Sequence, residues 1–137
     1  MALAINRSIP NCSIMPVLGY VDVAAASSWL CEAFGFSARL RVADHRVQLM
    51  FGACALVVAQ QAGPVGQDAS VMVRVSDVDR HCARARRCGA LIVREPANHP
   101  YGERQYTAED PGGRLWTFSQ TLSDVDPRDW GGELLVK

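Results

Sequence analysis

The sequence contains one pattern of predicted elements twice. In each copy a strand ends at an aspartate that can cap a helix, and a glycine ends that helix before three further strands. Asp22 and Gly35 mark the helix of the first copy, and Asp77 and Gly89 mark the helix of the second at a nearly constant offset. A duplicated βαβββ unit is therefore the interpretation that most restricts the fold, and chance similarity is a weak rival.

The alternation of side chains and the turn residues predict the limits of these elements. The first copy is expected to have strands at 15–21, 38–42, 46–51 and 55–60. The second copy is expected to have strands at 70–75, 90–95, 104–108 and 115–121. Its helix is expected to begin at Val78, where Ser76 and Asp79 have the spacing of a capping box.

One four-stranded sheet cannot cover its own apolar face, so the two copies are expected to form paired open half-barrels of the α+β class. The chain has 137 residues, which suits one domain overall. Its predicted parts are an N-terminal extension at 1–13, a first module at 14–61, a linker at 62–69, a second module at 70–121 and a C-terminal tail at 122–137.

Charge and cysteine content exclude several classes of protein. Lys+Arg 14 against Asp+Glu 14 gives no net charge, which argues against nucleic acid and anionic membranes as partners. The odd number of cysteines, 5, without a Cys-x-x-Cys spacing argues against a disulfide framework and a zinc knuckle. No apolar run is long enough for a membrane span, so a cytoplasmic location is expected.

Alternation within the fifth predicted strand separates two faces. Val71 and Val73 point to one side, while Ser70, Met72 and Arg74 point to the other. The apolar side is expected to pack under a helix. The opposite side is then expected to line the concave face of a curved sheet, where a small molecule can bind.

These patterns lead to a family. The segments "MPVLGYVDVAAASSWLCEAFGF", "VMVRVSDVD", "GALIVREP" and "YGERQYTAEDPGGRLWTF" resemble the vicinal oxygen chelate superfamily, which includes glyoxalases, extradiol dioxygenases and bleomycin resistance proteins. The resemblance covers about Ile14 to Gln120, and its specificity lies in the order and spacing of the motifs. It implies a glyoxalase/bleomycin resistance/dioxygenase-like fold.

The resemblance also implies where a divalent metal is held in the enzymes of this superfamily. The corresponding positions are Met15, Val57, Ser70 and Thr117. A thioether, a valine and two hydroxyls do not replace the imidazoles and carboxylates that hold Zn²⁺, Ni²⁺ or Fe²⁺. We therefore expect no metal and no other cofactor. The alternative is a metal-dependent lyase, isomerase or dioxygenase with atypical ligands.

Arg74 is the first candidate for a ligand contact, because a guanidinium can bind a carboxylate or a phosphate through two hydrogen bonds. The alternative is that Arg74 only pairs with Glu95 or Glu109. Arg104 and Tyr106 could supply a donor and an aromatic wall, or they could face a partner subunit.

The 3 histidines are separate candidates. His45, in a turn, and His81, on the charged side of a helix, are expected to be solvated. His99 is expected in a loop that borders the cleft and is retained as a candidate ligand residue.

A set of apolar side chains is expected to form the floor of the cleft, unless the cleft is a filled core: Met15, Val17, Val57, Met72 and Leu115. Flexible methionines suit a planar or apolar ligand. The favoured function is noncatalytic binding of an antibiotic-like or aromatic small molecule, by a homodimer as in the bleomycin resistance proteins. A weaker alternative is a degenerate module that acts only in dimerisation.

Overall fold

The structure, a computed structural model, describes residues 4–61 and 70–134. These residues divide into two compact units, the first formed by residues 4–61 and 111–113 and the second by residues 70–110 and 114–134. The predicted linker, residues 62–69, lies outside the described residues. The expected boundaries of the extension, the modules and the tail, and the expectation of one domain overall, stay predictions.

The first unit has the order βαβββ. Its sheet has the strand order β1-β4-β3-β2, in which β1 pairs with β4 in parallel and the other pairs are antiparallel. The sheet is not closed, and α1 packs on one of its faces. The elements are β1 (Val17–Tyr20), α1 (Val23–Phe34), β2 (Ser37–Val42), β3 (Arg46–Phe51) and β4 (Cys54–Gln60).

The second unit repeats this order, which confirms the duplicated βαβββ pattern. Its open sheet has the strand order β5-β8-β7-β6, again with one parallel pair, β5 with β8. A short 3-10 helix, Pro127–Trp130, follows in the tail. The other elements are β5 (Ser70–Arg74), α2 (Val78–Arg87), β6 (Leu91–Asn98), β7 (Glu103–Glu109) and β8 (Leu115–Thr121).

Local signals fix the ends of the helices. The Asp22 carboxylate accepts a hydrogen bond from the Ala25 amide at 3.0 Å, and Gly35 ends α1 with φ at 89°. In α2 the N-cap is Asp77, whose side chain accepts from the Arg80 amide. The expected capping box that starts at Ser76 is therefore wrong, because Asp77 supplies the acceptor one residue later.

Two strand limits also differ from the sequence-based expectation. The first strand begins at Val17 and not at Met15, because Pro16 has no N–H to donate; its carbonyl instead accepts from the Val57 amide. The sixth strand extends to Asn98 and passes through Pro96, with two irregularities in its register against β7. It is an edge strand, where proline is tolerated.

The helix-facing side of each sheet forms the core. In the second unit Trp116 and Phe118 are fully buried and Tyr106 is 1% exposed. Each such side chain contributes about 2 kcal/mol through removal of apolar surface from water. Because side chains alternate along a strand, the residues between them must lie on the opposite, open face. No helix within the described ranges is long and apolar enough to cross a membrane.

Candidate ligand-binding site

The open face of the second sheet brings together four of the predicted site residues. Met72 pairs with Thr117 across β5 and β8, and Ser70 and Arg74 lie two residues to either side of Met72. Ser70, Met72 and Arg74 are exposed, and 63% of Met72 is accessible to solvent. The Thr117 hydroxyl is 3.0 Å from the Thr107 hydroxyl on β7. The predicted face of β5 is therefore the open one.

Hydrogen bonds join polar side chains across this face. Arg74 Nη2 donates to Thr121 Oγ1 at 2.9 Å, and Ser119 Oγ donates to Glu103 Oε1 at 2.6 Å. Gln105 Nε2 donates to Ser119 Oγ at 3.0 Å, and the Tyr101 hydroxyl donates to Gln105 Oε1 at 3.0 Å. We call this set the polar ladder: Arg74, Thr121, Glu103, Ser119, Gln105 and Tyr101.

Glu103 is the acidic member of the polar ladder, and its pKa is lowered. Burial raises the pKa, but the hydrogen bonds from Ser119 and Thr121 and the positive charge of Arg74 lower it by more. The carboxylate is therefore charged at neutral pH and gives Arg74 a counter-ion on the same face. Glu95, one of the two partners considered for Arg74, instead forms an ion pair with Arg86.

Aromatic rings extend the polar ladder beyond Tyr101. The His99 and Tyr101 rings stack with centroids 5.2 Å apart, and the Trp130 ring meets the Tyr101 ring edge-on at 5.4 Å. Trp130, from the 3-10 helix of the tail, is 44% exposed. His99 thus belongs to an aromatic cluster next to the open face.

Arg104 and Tyr106 do not lie on this face. Arg104 Nη2 is 3.1 Å from Asp79 Oδ1 of α2, and the Tyr106 hydroxyl meets His81 Nδ1 on the same helix. Both side chains therefore point to the helix side of β7. Burial raises the pKa of the Tyr106 phenol, with a smaller contribution from Cys82, so the phenol stays neutral.

The expectation that His81 is solvated is wrong. Its ring packs against Phe118 with centroids 4.1 Å apart, in addition to the hydrogen bond with Tyr106. The charged pattern of α2 obscured this position, because His81 lies on the margin of the buried face. His45 is exposed, as expected.

The two remaining candidates, Met15 and Val57, belong to the first unit. Val57 lies in β4 between Val17 and Gln48 and is 3% exposed. Met15 precedes β1 and lines a cavity of about 590 Å³ together with residues from Ala4 to Ser13 and Arg39. Within residues 4–61 and 70–134, no three His, Cys, Asp or Glu side chains are grouped to hold a metal ion.

Sequence reasoning missed Glu103, Gln105 and Tyr101. The alternation of β7 contains the signal for the first two, since Tyr106 and Ala108 are the buried residues and the odd-numbered residues oppose them. Arg104 and Gln105 lie on opposite faces of β7 and are both polar, so the sequence did not show which face is open and which faces the helix. The pairing of β7 with the buried face of β8 and the contacts of Arg104 and Tyr106 with α2 separate them.

Residues 14–118 match the Glyoxalase/Bleomycin resistance protein/Dioxygenase superfamily. Among solved structures, TioX from Micromonospora sp. ML1 is 33% identical, with a TM-score of 0.68, over 80% of this chain and 100% of that chain. No curated protein sequence matches at a significant level.

Two less similar structures share the fold. A glyoxalase/bleomycin resistance protein/dioxygenase family enzyme from Burkholderia phytofirmans PsJN is 18% identical, with a TM-score of 0.69, over 77% of this chain and 95% of that chain. A bleomycin-binding protein from bleomycin-producing Streptomyces verticillus, complexed with copper(II)-bleomycin, is 21% identical, with a TM-score of 0.65, over 82% of this chain and 98% of that chain. The chain belongs to the glyoxalase/bleomycin resistance protein/dioxygenase superfamily.

Proposed function

We propose that the chain is a noncatalytic binding protein for an aromatic or antibiotic-like small molecule, bound on the open face of the second sheet. The observation that carries this proposal is the exposure of Met72 beside the Arg74 end of the polar ladder. An apolar side chain next to a guanidinium suits a planar ligand that carries an acidic or polar group.

The proposal includes binding without a metal or another cofactor. It is supported by the side chains at the four positions that would hold the metal: Met15, Val57, Ser70 and Thr117. The Thr117 hydroxyl is already hydrogen-bonded to Thr107, and neither a hydroxyl nor a thioether is a strong ligand for Zn²⁺ or Fe²⁺. The bleomycin-binding protein of the same fold supports an antibiotic-like ligand.

Replacing Arg74 with alanine is expected to weaken the binding of an aromatic acid. We would measure 2-naphthoate and the neutral 2-naphthamide by calorimetry, with and without EDTA. Arg74→Ala should cost about 1 kcal/mol for the acid, or about fivefold in Kd, because the acid loses a charge-assisted hydrogen bond to an exposed guanidinium. The amide should bind equally well to both proteins.

Arg87→Ala is the matched control, because Arg87 is an exposed arginine on α2. It should leave both affinities unchanged. Binding that disappears with EDTA, or stoichiometric metal in the purified protein, would contradict the metal-free proposal and favour the metal-dependent alternative. Equal affinity of the acid for wild type and Arg74→Ala would show that Arg74 is not the ligand contact. Bleomycin with and without Cu²⁺ is the antibiotic probe for the same assay.

We also propose that the protein is a homodimer. The edge strands β1 and β5 carry Val17 and Met72, which are 56% and 63% exposed, and exposed edges with apolar side chains favour association. Light scattering at micromolar concentration should give twice the chain mass of 14.9 kDa. A monomer at that concentration would contradict the proposal.

The cytoplasmic location stays a prediction.

A further inference from the structure

A short N-terminal segment covers part of the open face of the first sheet. We call residues 4–13 the strap. Gln48 Nε2 donates to the Ser8 carbonyl at 2.9 Å, and Arg39 Nη2 donates to the Arg7 carbonyl at 3.0 Å. Cys12 Sγ donates to the Ala53 carbonyl at 3.2 Å. The strap is thus bound to the sheet mainly through its own backbone carbonyls.

The two sheet residues form a donor pair. Arg39 Nη1 donates to Gln48 Oε1 at 2.6 Å, which orients the Gln48 amide nitrogen and the second guanidinium nitrogen toward the strap. Gln48 is only 7% exposed, so its amide would lose a buried hydrogen bond if the strap carbonyl were not replaced. Its cross-strand neighbour Val57 provides an apolar surface beside the pair.

The strap presents its carbonyls from a turn. The Ser8 amide donates to Asn6 Oδ1 at 2.9 Å and the Ile9 amide donates to the Asn6 carbonyl at 3.2 Å, which leaves the successive carbonyls of Arg7 and Ser8 for the sheet. Apart from Pro10, which is buried, and Cys12, which is partly buried, the strap side chains are exposed. Recognition therefore depends on adjacent amide carbonyls more than on side chains.

The two sheets differ in the burial of the central residue on their open faces. The row Val17, Val57 and Gln48 of the first sheet corresponds in register to Met72, Thr117 and Thr107 of the second. The central residue is buried in the first sheet, whereas Thr117 is partly exposed. The strap also lies before residue 14, where the match to the superfamily begins.

We infer that the strap acts as an internal ligand: it occupies the open face of the first module, where a compact peptide-like ligand with adjacent amide carbonyls can bind. An external ligand must displace the strap, which is tethered and so acts at an effective concentration in the millimolar range. The site stays closed until a ligand with a better match to Arg39 and Gln48, or a change that weakens the strap, opens it.

The test uses the full chain and a synthetic peptide of residues 4–13 with Cys12→Ser. Pro10→Asp places a charge where the buried proline ring lies and should release the strap. Asn11→Asp adds the same charge at an exposed neighbour and is the matched control. Strap release is followed by the rate of Cys12 alkylation by iodoacetamide, resolved by mass spectrometry, and peptide binding by fluorescence anisotropy of the labelled peptide.

Release of the strap should make the alkylation of Cys12 at least about tenfold faster, because local opening exposes a partly buried thiol. Cys82, buried in α2, must remain protected, which separates strap release from unfolding. Pro10→Asp should bind the labelled peptide, and adding Gln48→Met should abolish that binding. Gln60→Met, at an exposed glutamine, should not.

Three results would overturn the inference: a released strap without peptide binding, binding that survives Gln48→Met, or wild-type Cys12 that already reacts as fast as in Pro10→Asp. If Pro10→Asp does not fold, the inference is tested on the wild-type protein. Several millimolar unlabelled peptide should then accelerate Cys12 alkylation, since it competes with a strap of millimolar effective concentration. No acceleration would contradict the inference.

Discussion

Asp110→Ala is expected to lower the free energy of unfolding by about 3 kcal/mol. The Asp110 carboxylate is 5% exposed and accepts two hydrogen bonds, from the Arg114 amide at 3.0 Å and from the indole Nε1 of Trp116 at 3.0 Å. Trp116 is fully buried, so its N–H would find no water after the substitution. Chemical denaturation monitored by tryptophan fluorescence measures the loss.

Two variants control this measurement. Asp110→Asn keeps one acceptor oxygen and should lose about half as much stability. Asp124→Ala removes an exposed carboxylate and should stay within about 0.5 kcal/mol of wild type. A loss below about 1 kcal/mol for Asp110→Ala would show that the two hydrogen bonds contribute little to the turn before β8.

Gly102→Ala is expected to destabilise the protein by about 3 kcal/mol. Gly102 has φ at 84°, and an added Cβ would lie 2.2 Å from the backbone carbonyl oxygen of Ser123. This neighbour is backbone and is held in place, since the Leu122 and Ser123 amides both donate to the Gly102 carbonyl. Relief of the clash therefore requires the tail to separate from the loop before β7.

Gly89→Ala separates the two causes of this loss of stability, which are the positive φ and the contact of the added Cβ with Ser123. Gly89 has φ at 92° but no atom within 4 Å of an added Cβ, so it should lose only the conformational part, about 1 kcal/mol. Equal losses for the two variants would show that the contact with Ser123 is not important.

Because Gly102 follows Tyr101, Gly102→Ala should also weaken the binding of a ligand that contacts the aromatic cluster.

Much of the fold could be predicted because its signals are local. Asp22 and Gly35 end the first helix through hydrogen bonds and a positive φ that depend on the neighbouring residues alone. The alternation of Ser70, Met72 and Arg74 identified the open face of β5, because its valines allow only one buried side. The candidate site was predictable where a strand has one clearly apolar face.

The strand β7 shows where such reasoning fails. Its sequence "ERQYTAE" has polar residues on both faces, so alternation alone does not decide whether Arg104 or Gln105 faces the helix. Asp79 and His81 on α2 decide it, because they supply the partners for Arg104 and Tyr106. Those partners are distant in sequence, and no local pattern indicates them.

The sequence by itself determined the duplicated βαβββ order, the helix ends and the identity of the side chains at the four implied metal positions. The first two depend on spacing along the chain, and the four positions are those that the resemblance to the superfamily implies. The tertiary structure alone decided that a charged Glu103 lies near Arg74, that His81 is packed on Phe118 and that residues 4–13 cover Gln48. These depend on strand register and on contacts between distant segments, whose free energy comes from burial and hydrogen bonding in three dimensions and leaves no periodic signal in the chain.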